Sequence, residues 1–301
     1  MCAPAISDKM TDAAASARWI SGGRCLSTME KEVNLLLVLH TLASGSDGNC
    51  LLASCGDTHL LVDAGISLRR IKAALARLSL TVDMLSGILI THSHSDHVSA
   101  LQTLVKHHTV PIYASAGTGA QLCRRIAGLE PLLRTVSCGD IFSVGACRVT
   151  VFPTCHDTPD SVDYRLDTAS GSAGILTDTG YVTEGARRAL AGVDLLVLES
   201  NHDTDRLRSG PYPLPLKERI AGPNGHLSNT DAACFAVEMA HSGTDQIVLA
   251  HLSKENNTPR LALETMQQYL AQEQLDNVRV MIAPRCDLSD AYCTEGSPCK
   301  R

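Results

Sequence analysis

The densest chemistry in the chain sits in seven consecutive residues, Thr91-His92-Ser93-His94-Ser95-Asp96-His97. A neutral imidazole offers one ring nitrogen to a metal, and a carboxylate offers hard oxygen. The apolar run Gly87-Ile88-Leu89-Ile90 before the cluster reads as a buried strand, and Val98 to Val105 after it reads as a helix. The cluster therefore falls on a strand-to-helix loop, where a rigid scaffold commonly displays reactive groups. His92 and His94 are two apart and project the same way from an extended backbone. Asp96 and His97 open the helix and turn back to the same point. This arrangement suits two adjacent metals better than one.

The elements that must position further ligands follow one pattern. Apolar strands end repeatedly in a histidine or an acid: His92, His156, Asp178, Glu199 and His251. Strands of a common sheet that end at one edge bring such residues together, the usual place for an α/β active site. Strands interleaved with helices predict a layered α/β sandwich. The expected strands include Asn34 to Ala43, Cys50 to Ser54, His59 to Val62, Asp194 to Leu198 and Gln246 to Ala250. Ser67 caps a helix whose apolar stripe is Leu68, Ile71, Leu75 and Leu78. A Pro-rich loop is expected between Asp203 and Gly225.

On this reading His92, His94 and His156 form one metal site. Asp96, His97 and His251 form a second, and Asp178 bridges the two. Taken singly, His156 also reads as a surface histidine, Asp178 as a turn cap and His251 as a core histidine. Together they leave room for a shared hydroxide as the attacking species, with metals about 3.5–4 Å apart.

Composition limits the alternatives. The 301-residue chain is 44% hydrophobic, so a full core can be buried, but only 3% aromatic. No apolar run reaches the roughly 18–20 residues that span a bilayer. A formal charge of −6 argues against a surface coated in basic residues. It does not exclude nucleic acid, because metals supply positive charge where a phosphate must sit. Twelve cysteines include no Cys-x-x-Cys pair, which points to neither structural zinc nor a disulfide framework but to a reducing, cytoplasmic compartment. Cys123, Cys147 and Cys234 fall among apolar residues and read as small buried hydrophobes. Residues 1–33 read as a poorly ordered N-terminal extension, with a transit peptide or a start at Met29 as alternatives. Residues 34–285 read as the folded domain, and 286–301 as a frayed tail.

Thr-His-Ser-His-Ser-Asp-His resembles the signature of the metallo-β-lactamase superfamily, and Asp63, His156, Asp178 and His251 match its other motif positions in order. The resemblance covers about residues 34–285. It implies a four-layer αββα sandwich with a dinuclear site between the sheets. It also implies that Asp63 orients ligands; by sequence alone Asp63 could equally cap the next helix. Residues 44–50, 176–181, 198–203, 225–229 and 250–259 are similar to motifs of the WalJ/YycJ group, cytoplasmic bacterial proteins linked to 5′-to-3′ exonuclease activity on DNA. His226, in Gly-His-x-Ser, resembles the extra histidine of ribonuclease Z relatives, which implies that it protonates the leaving oxygen or holds the scissile phosphate, and Glu199 matches an acidic residue that orients it. Asp96 joins these two as a catalytic candidate. Asn49 and His202 are expected near substrate, the first through its loop backbone and the second as a wall or a ligand. Arg124, Arg125, Lys217, Arg219, Lys254 and Arg260 are candidate phosphate contacts.

Three functions follow. The first is a phosphodiesterase with two divalent ions, Zn²⁺ or Mn²⁺, that degrades DNA from a 5′ end; the sequence leaves its oligomeric state open, a homodimer included. The second is a small-molecule hydrolase on the same fold: a cyclic phosphodiesterase, thioesterase or lactonase. The third is a binding protein with an inactive site. An aspartate rather than a cysteine at position 178 makes an oxygen-rich second site and favours phosphodiester chemistry.

Overall fold

A computed structural model describes residues 36–294. The N-terminal extension and the last seven residues of the expected tail lie outside them. Fourteen strands form two seven-stranded mixed sheets. The first sheet holds β1 (Val38–Ala43), β2 (Cys50–Cys55), β3 (Thr58–Val62), β4 (Gly87–Leu89), β5 (Ile112–Ser115) and β6 (Leu133–Val136), with β14 (Tyr292–Cys293) beside β1. In the second, β13 (Arg279–Ile282) leads through β12 (Gln246–Ala250), β11 (Leu195–Glu199), β10 (Gly171–Leu176), β9 (Val162–Thr168) and β8 (Cys147–Pro153) to β7 (Ile141–Val144). Each sheet begins as antiparallel hairpins and continues as parallel strands: β3 to β6 in one and β10 to β13 in the other.

Period-two alternation explains the layering. In β3, Leu60 and Val62 pack in the core between the sheets while Leu61 faces outward. In β11, Leu195 and Val197 join that same inner core, and Leu196 and Leu198 face the other way. Each outer face is closed by helices. The first is covered by α1 (Leu68–Arg77), α2 (Ser95–Val98), α3 (Leu101–Leu104) and α4 (Ala116–Arg125). The second is covered by α5 (Glu184–Leu190), α8 (Asn229–His241) and α9 (Pro259–Gln272). Ser67 caps α1 by accepting from the Arg70 amide at 3.4 Å. The result is the expected αββα sandwich.

Several expectations are corrected. The helix read from Val98 to Val105 is two short turns, α2 and α3, broken at Ser99–Ala100. The Pro-rich loop contains two helices, α6 (Thr204–Ser209) and α7 (Leu214–Ile220). Pro215 sits in the first turn of α7, where a missing N–H costs nothing. The tail read as frayed from Cys286 instead supplies β14, whose Tyr292 and Cys293 are buried against β1. Cys147 is buried, and burial pushes its thiol up to about 12. Cys234 is exposed, because on α8 it lies off the stripe formed by Ala232, Ala233 and Ala236. Among the described residues no helix is long and apolar enough to cross a membrane.

Candidate metal centre

The candidate ligands project from strand ends of both sheets. His92, His94, Asp96 and His97 lie on the loop between β4 and α2 and in the first turns of α2. His156 follows β8, Asp178 follows β10, and His251 follows β12. Two of these turns, with Asp63 after β3, are left-handed: Asp63 has φ +61°, Asp178 φ +49° and His251 φ +52°. Aspartate and histidine are among the few residues that accept this conformation, and such strain gathers at functional sites. Gly65 allows the loops to close, because a Cβ there would lie 1.6 Å from the Asp96 carbonyl oxygen. The Val162 N–H donates to the Thr91 carbonyl at 3.1 Å and ties the second sheet to the histidine loop.

Three imidazole nitrogens converge first. His94 Nδ1 lies 3.1 Å from His92 Nε2 and 3.3 Å from His156 Nε2. A tetrahedral ion with nitrogen ligands at 2.0–2.1 Å spaces them about 3.3 Å apart. Beside this trio, Asp96, His97 and His251 converge, and Asp178 faces both groups. Asp178 Oδ2 is 3.0 Å from His97 Nε2, and Oδ1 is 3.9 Å from His156 Nε2. His251 Nε2 is buried yet makes no hydrogen bond. Orphaned buried polar atoms are costly, and cations would satisfy them. The residues therefore fit two divalent metal ions.

Each ring is also held by its far nitrogen, which fixes which nitrogen is free. His97 Nδ1 donates to Asp63 Oδ2 at 2.7 Å, leaving Nε2 inward. His92 Nδ1 donates to Thr91 Oγ1 at 3.0 Å, and that hydroxyl donates to Asp63 at 2.9 Å. His156 Nδ1 donates to the Gly225 carbonyl at 3.1 Å. His251 Nδ1 donates to Glu199 Oε1 at 3.0 Å. His94 is reversed: its Nε2 meets Asp157 Oδ1 at 3.2 Å, and Nδ1 faces the site. Asp157 is a residue that sequence reasoning did not single out, although it directly follows a candidate ligand. It is itself gripped by Arg219, 2.6 Å away.

The electrostatics divide along the same line. Burial holds His92 well below the usual imidazole range, and burial with the His156 ring lowers His94. Both are neutral donors. Burial opposes charge on His97 and His251 as well, but carboxylates overcome it. Asp178 and Asp63 push His97 well up, and Asp178 with Glu199 raises His251 to about 10. Protons thus occupy the electronegative half of the cage until cations displace them.

Glu199, fully buried at the end of β11, ties this cage to a sixth histidine. Its Oε1 accepts from His226 Nδ1 at 2.7 Å, and its Oε2 from the Thr179 and Leu227 amides at 3.1 and 3.2 Å. Burial works against its charge, but His226 and His251 bring it down to about 2. The Glu199 charge in turn raises His226 despite burial of the ring. His226 is partly exposed, so its Nε2 is available to a substrate as a proton donor.

The other expected residues are placed differently. Asn49 does not offer its backbone to an open groove: it is buried, its side-chain nitrogen 3.0 Å from His97 Nε2 and its N–H and carbonyl bonded to Asp96 and Gly65. His202 is buried and joins none of the converging groups; it pairs in a bridge with Ser228. Most of the basic candidates are engaged elsewhere. Arg125 donates to the Ser93 carbonyl, Lys217 to the Arg208 carbonyl, and Arg260 pairs with Glu264 along α9. Arg124 and Lys254 are exposed.

Residues 58–253 match the family model described as a β-lactamase superfamily domain. The chain belongs to the metallo-β-lactamase superfamily. Within it, the chain is 36% identical to exodeoxyribonuclease YycJ of Bacillus anthracis, over 77% of this chain and 88% of that one. It is also 36% identical to exodeoxyribonuclease WalJ of Streptococcus pneumoniae serotype 2, over 78% and 88%. Among solved structures, the metallo-β-lactamase fold protein YhfI of Bacillus subtilis superposes with a TM-score of 0.66 at 17% identity, covering 86% of this chain and 99% of that one. The short form of human tRNase Z superposes with a TM-score of 0.56 at 19% identity, over 84% and 98%. These two likenesses concern the fold.

Proposed function

We propose that the chain is a metal-dependent exodeoxyribonuclease that hydrolyses DNA from a 5′ end in the cytoplasm. The observation that carries this reading is the Glu199–His226 pair, a raised histidine directed into the site beside the metal cage. Two divalent ions, when bound, lower the pKa of a water and take up charge on the attacked phosphate. His92, His94 and His156 would hold one, and Asp96, His97 and His251 the other, with Asp178 shared. The mixed nitrogen and oxygen donors suit Zn²⁺ or Mn²⁺. His226 gives its Nε2 proton to the departing oxygen, and Glu199 keeps Nδ1 protonated so that Nε2 faces the substrate. The match to two exodeoxyribonucleases over 88% of their length supports DNA as the polymer.

The test is to supply Mn²⁺ and offer 5′-labelled duplex DNA, single-stranded DNA, RNA and a small phosphodiester in parallel. DNA should be shortened from its 5′ end. Asp178→Ala should abolish every metal-dependent activity, and His226→Ala should slow DNA cleavage roughly 10²–10⁴-fold while metal is retained. Turnover of the small diester with no loss of any polymer would overturn the nuclease reading in favour of a small-molecule hydrolase.

A further inference from the structure

Beside the metal cage, α7 and the segment before it wall a cleft of about 180 Å³. His156 and His226 line it together with Tyr212, Leu216 and Ile220, and Asp157, Arg219 and Asn224 also line it. The volume is below the roughly 300–1,000 Å³ of pockets that enclose a drug-sized ligand, so it admits one ring system and not a whole nucleotide. The cation nearest to it, Arg219, is occupied by Asp157 at 2.6 Å. The lining is thus mixed: Tyr212, Leu216 and Ile220 offer aromatic and apolar surface, Asn224 and the two imidazoles offer polar edges, and the Asp157 carboxylate repels an anion, a combination that suits a base and not a phosphate.

Resting on the nuclease reading, we propose that this cleft seats the base of the 5′-terminal nucleotide, stacked on Tyr212, and that Tyr212 is a specificity-determining residue. The chemistry places that nucleotide here. Water oxygen joins phosphorus, the P–O3′ bond breaks, and O3′ leaves the chain with the proton from His226; the remaining water proton restores His226 on turnover. The nucleotide that departs through O3′ therefore lies on the His226 side of the metals, next to the cleft. One tyrosine suffices for one base, so a chain poor in aromatics can still grip a strand end by its terminal residue. Base–aromatic stacking is sequence-tolerant, as digestion of any sequence requires.

The experiment compares oligonucleotides that carry a normal or an abasic residue at the 5′ terminus. In the native enzyme, kcat/KM should favour the normal end by roughly 5- to 150-fold, the range that one stacked base supplies. Tyr212→Ala should collapse this ratio toward one, and Tyr212→Phe should keep it. Because the ratio is taken within one protein, a general loss of folding or metal cancels. Anisotropy of 3′-labelled strands on Asp178→Ala protein should give the same ratio in Kd, independently of turnover. An unchanged ratio in Tyr212→Ala, with DNA still digested, overturns this proposal and leaves the nuclease reading intact. Failure of the native protein to digest any DNA overturns both.

Discussion

The Asp63→Asn substitution isolates the role of a residue that touches neither metal nor substrate. Asp63 is 3% exposed and sits at φ +61°, a conformation that asparagine also tolerates. Its Oδ1 accepts from the Thr91 amide at 2.9 Å, and its Oδ2 accepts from His97 Nδ1 at 2.7 Å. In asparagine one oxygen can still serve Thr91, but the other position becomes an NH₂ group facing the His97 Nδ1–H. Two donors cannot face one another in a buried site. The ring must give up its Nδ1 proton and keep only the one on Nε2, the nitrogen turned toward Asp178 and Asp96. Metal affinity at the second site should fall roughly 10- to 100-fold, the usual cost of losing such a partner. Stability of the metal-free protein should fall by about 1.5–3 kcal/mol, the worth of one hydrogen bond to a charged group. The first site should change little, because Thr91 Oγ1 keeps its bond to His92. Chelator competition would resolve the two affinities, and nitrogen-15 NMR of the metal-free protein would read the His97 tautomer directly. Equal loss at both sites, or an unchanged tautomer, would refute the reasoning.

Two further outcomes follow from the charges in the cage. His97 and His251 are both raised by carboxylates, so loading the second site near neutral pH should release about two protons; calorimetry in buffers of different ionisation enthalpy counts them, and no release would contradict the protonated cage. His226 acts as the cation, which exists below its raised pKa, so the rate should fall as pH climbs through that value. Glu199→Gln removes the main charge that raises it, and the basic limb should move to lower pH in a rate profile at saturating metal; an unmoved limb would exclude His226 as the acid.

Much of the frame was legible because it follows short-range rules. The apolar strands β3, β4, β11 and β12 announce themselves by composition, and Asp63, His92, Glu199 and His251 lie at or within three residues of their ends. The histidine cluster needs only the two-residue spacing of an extended loop. What stayed hidden depends on the third dimension. Asp157 looks like any acid after a histidine until His94 turns its Nε2 onto it. Arg219 looks like a phosphate contact until α7 brings it to Asp157. Four prolines between Asp203 and Gly225 suggested a loop where Pro215 instead sits in the first turn of a helix. The strand at Tyr292–Cys293 is too short to carry a pattern, and its partner β1 lies at the other end of the sequence.

The division of the cage between the two sheets has a consequence for the chain as it is made. His92, His94, Asp96 and His97 emerge early, but His251 is carried by β12, and β12 closes its sheet against β11 and β13. A nascent chain halted before β12 lacks a complete second site, and one halted before β8 lacks a complete first site. Tight capture of both ions therefore certifies a finished molecule. On the proposed ligand assignment, a chain halted before β12 would be unable to cut the nucleic acid around it.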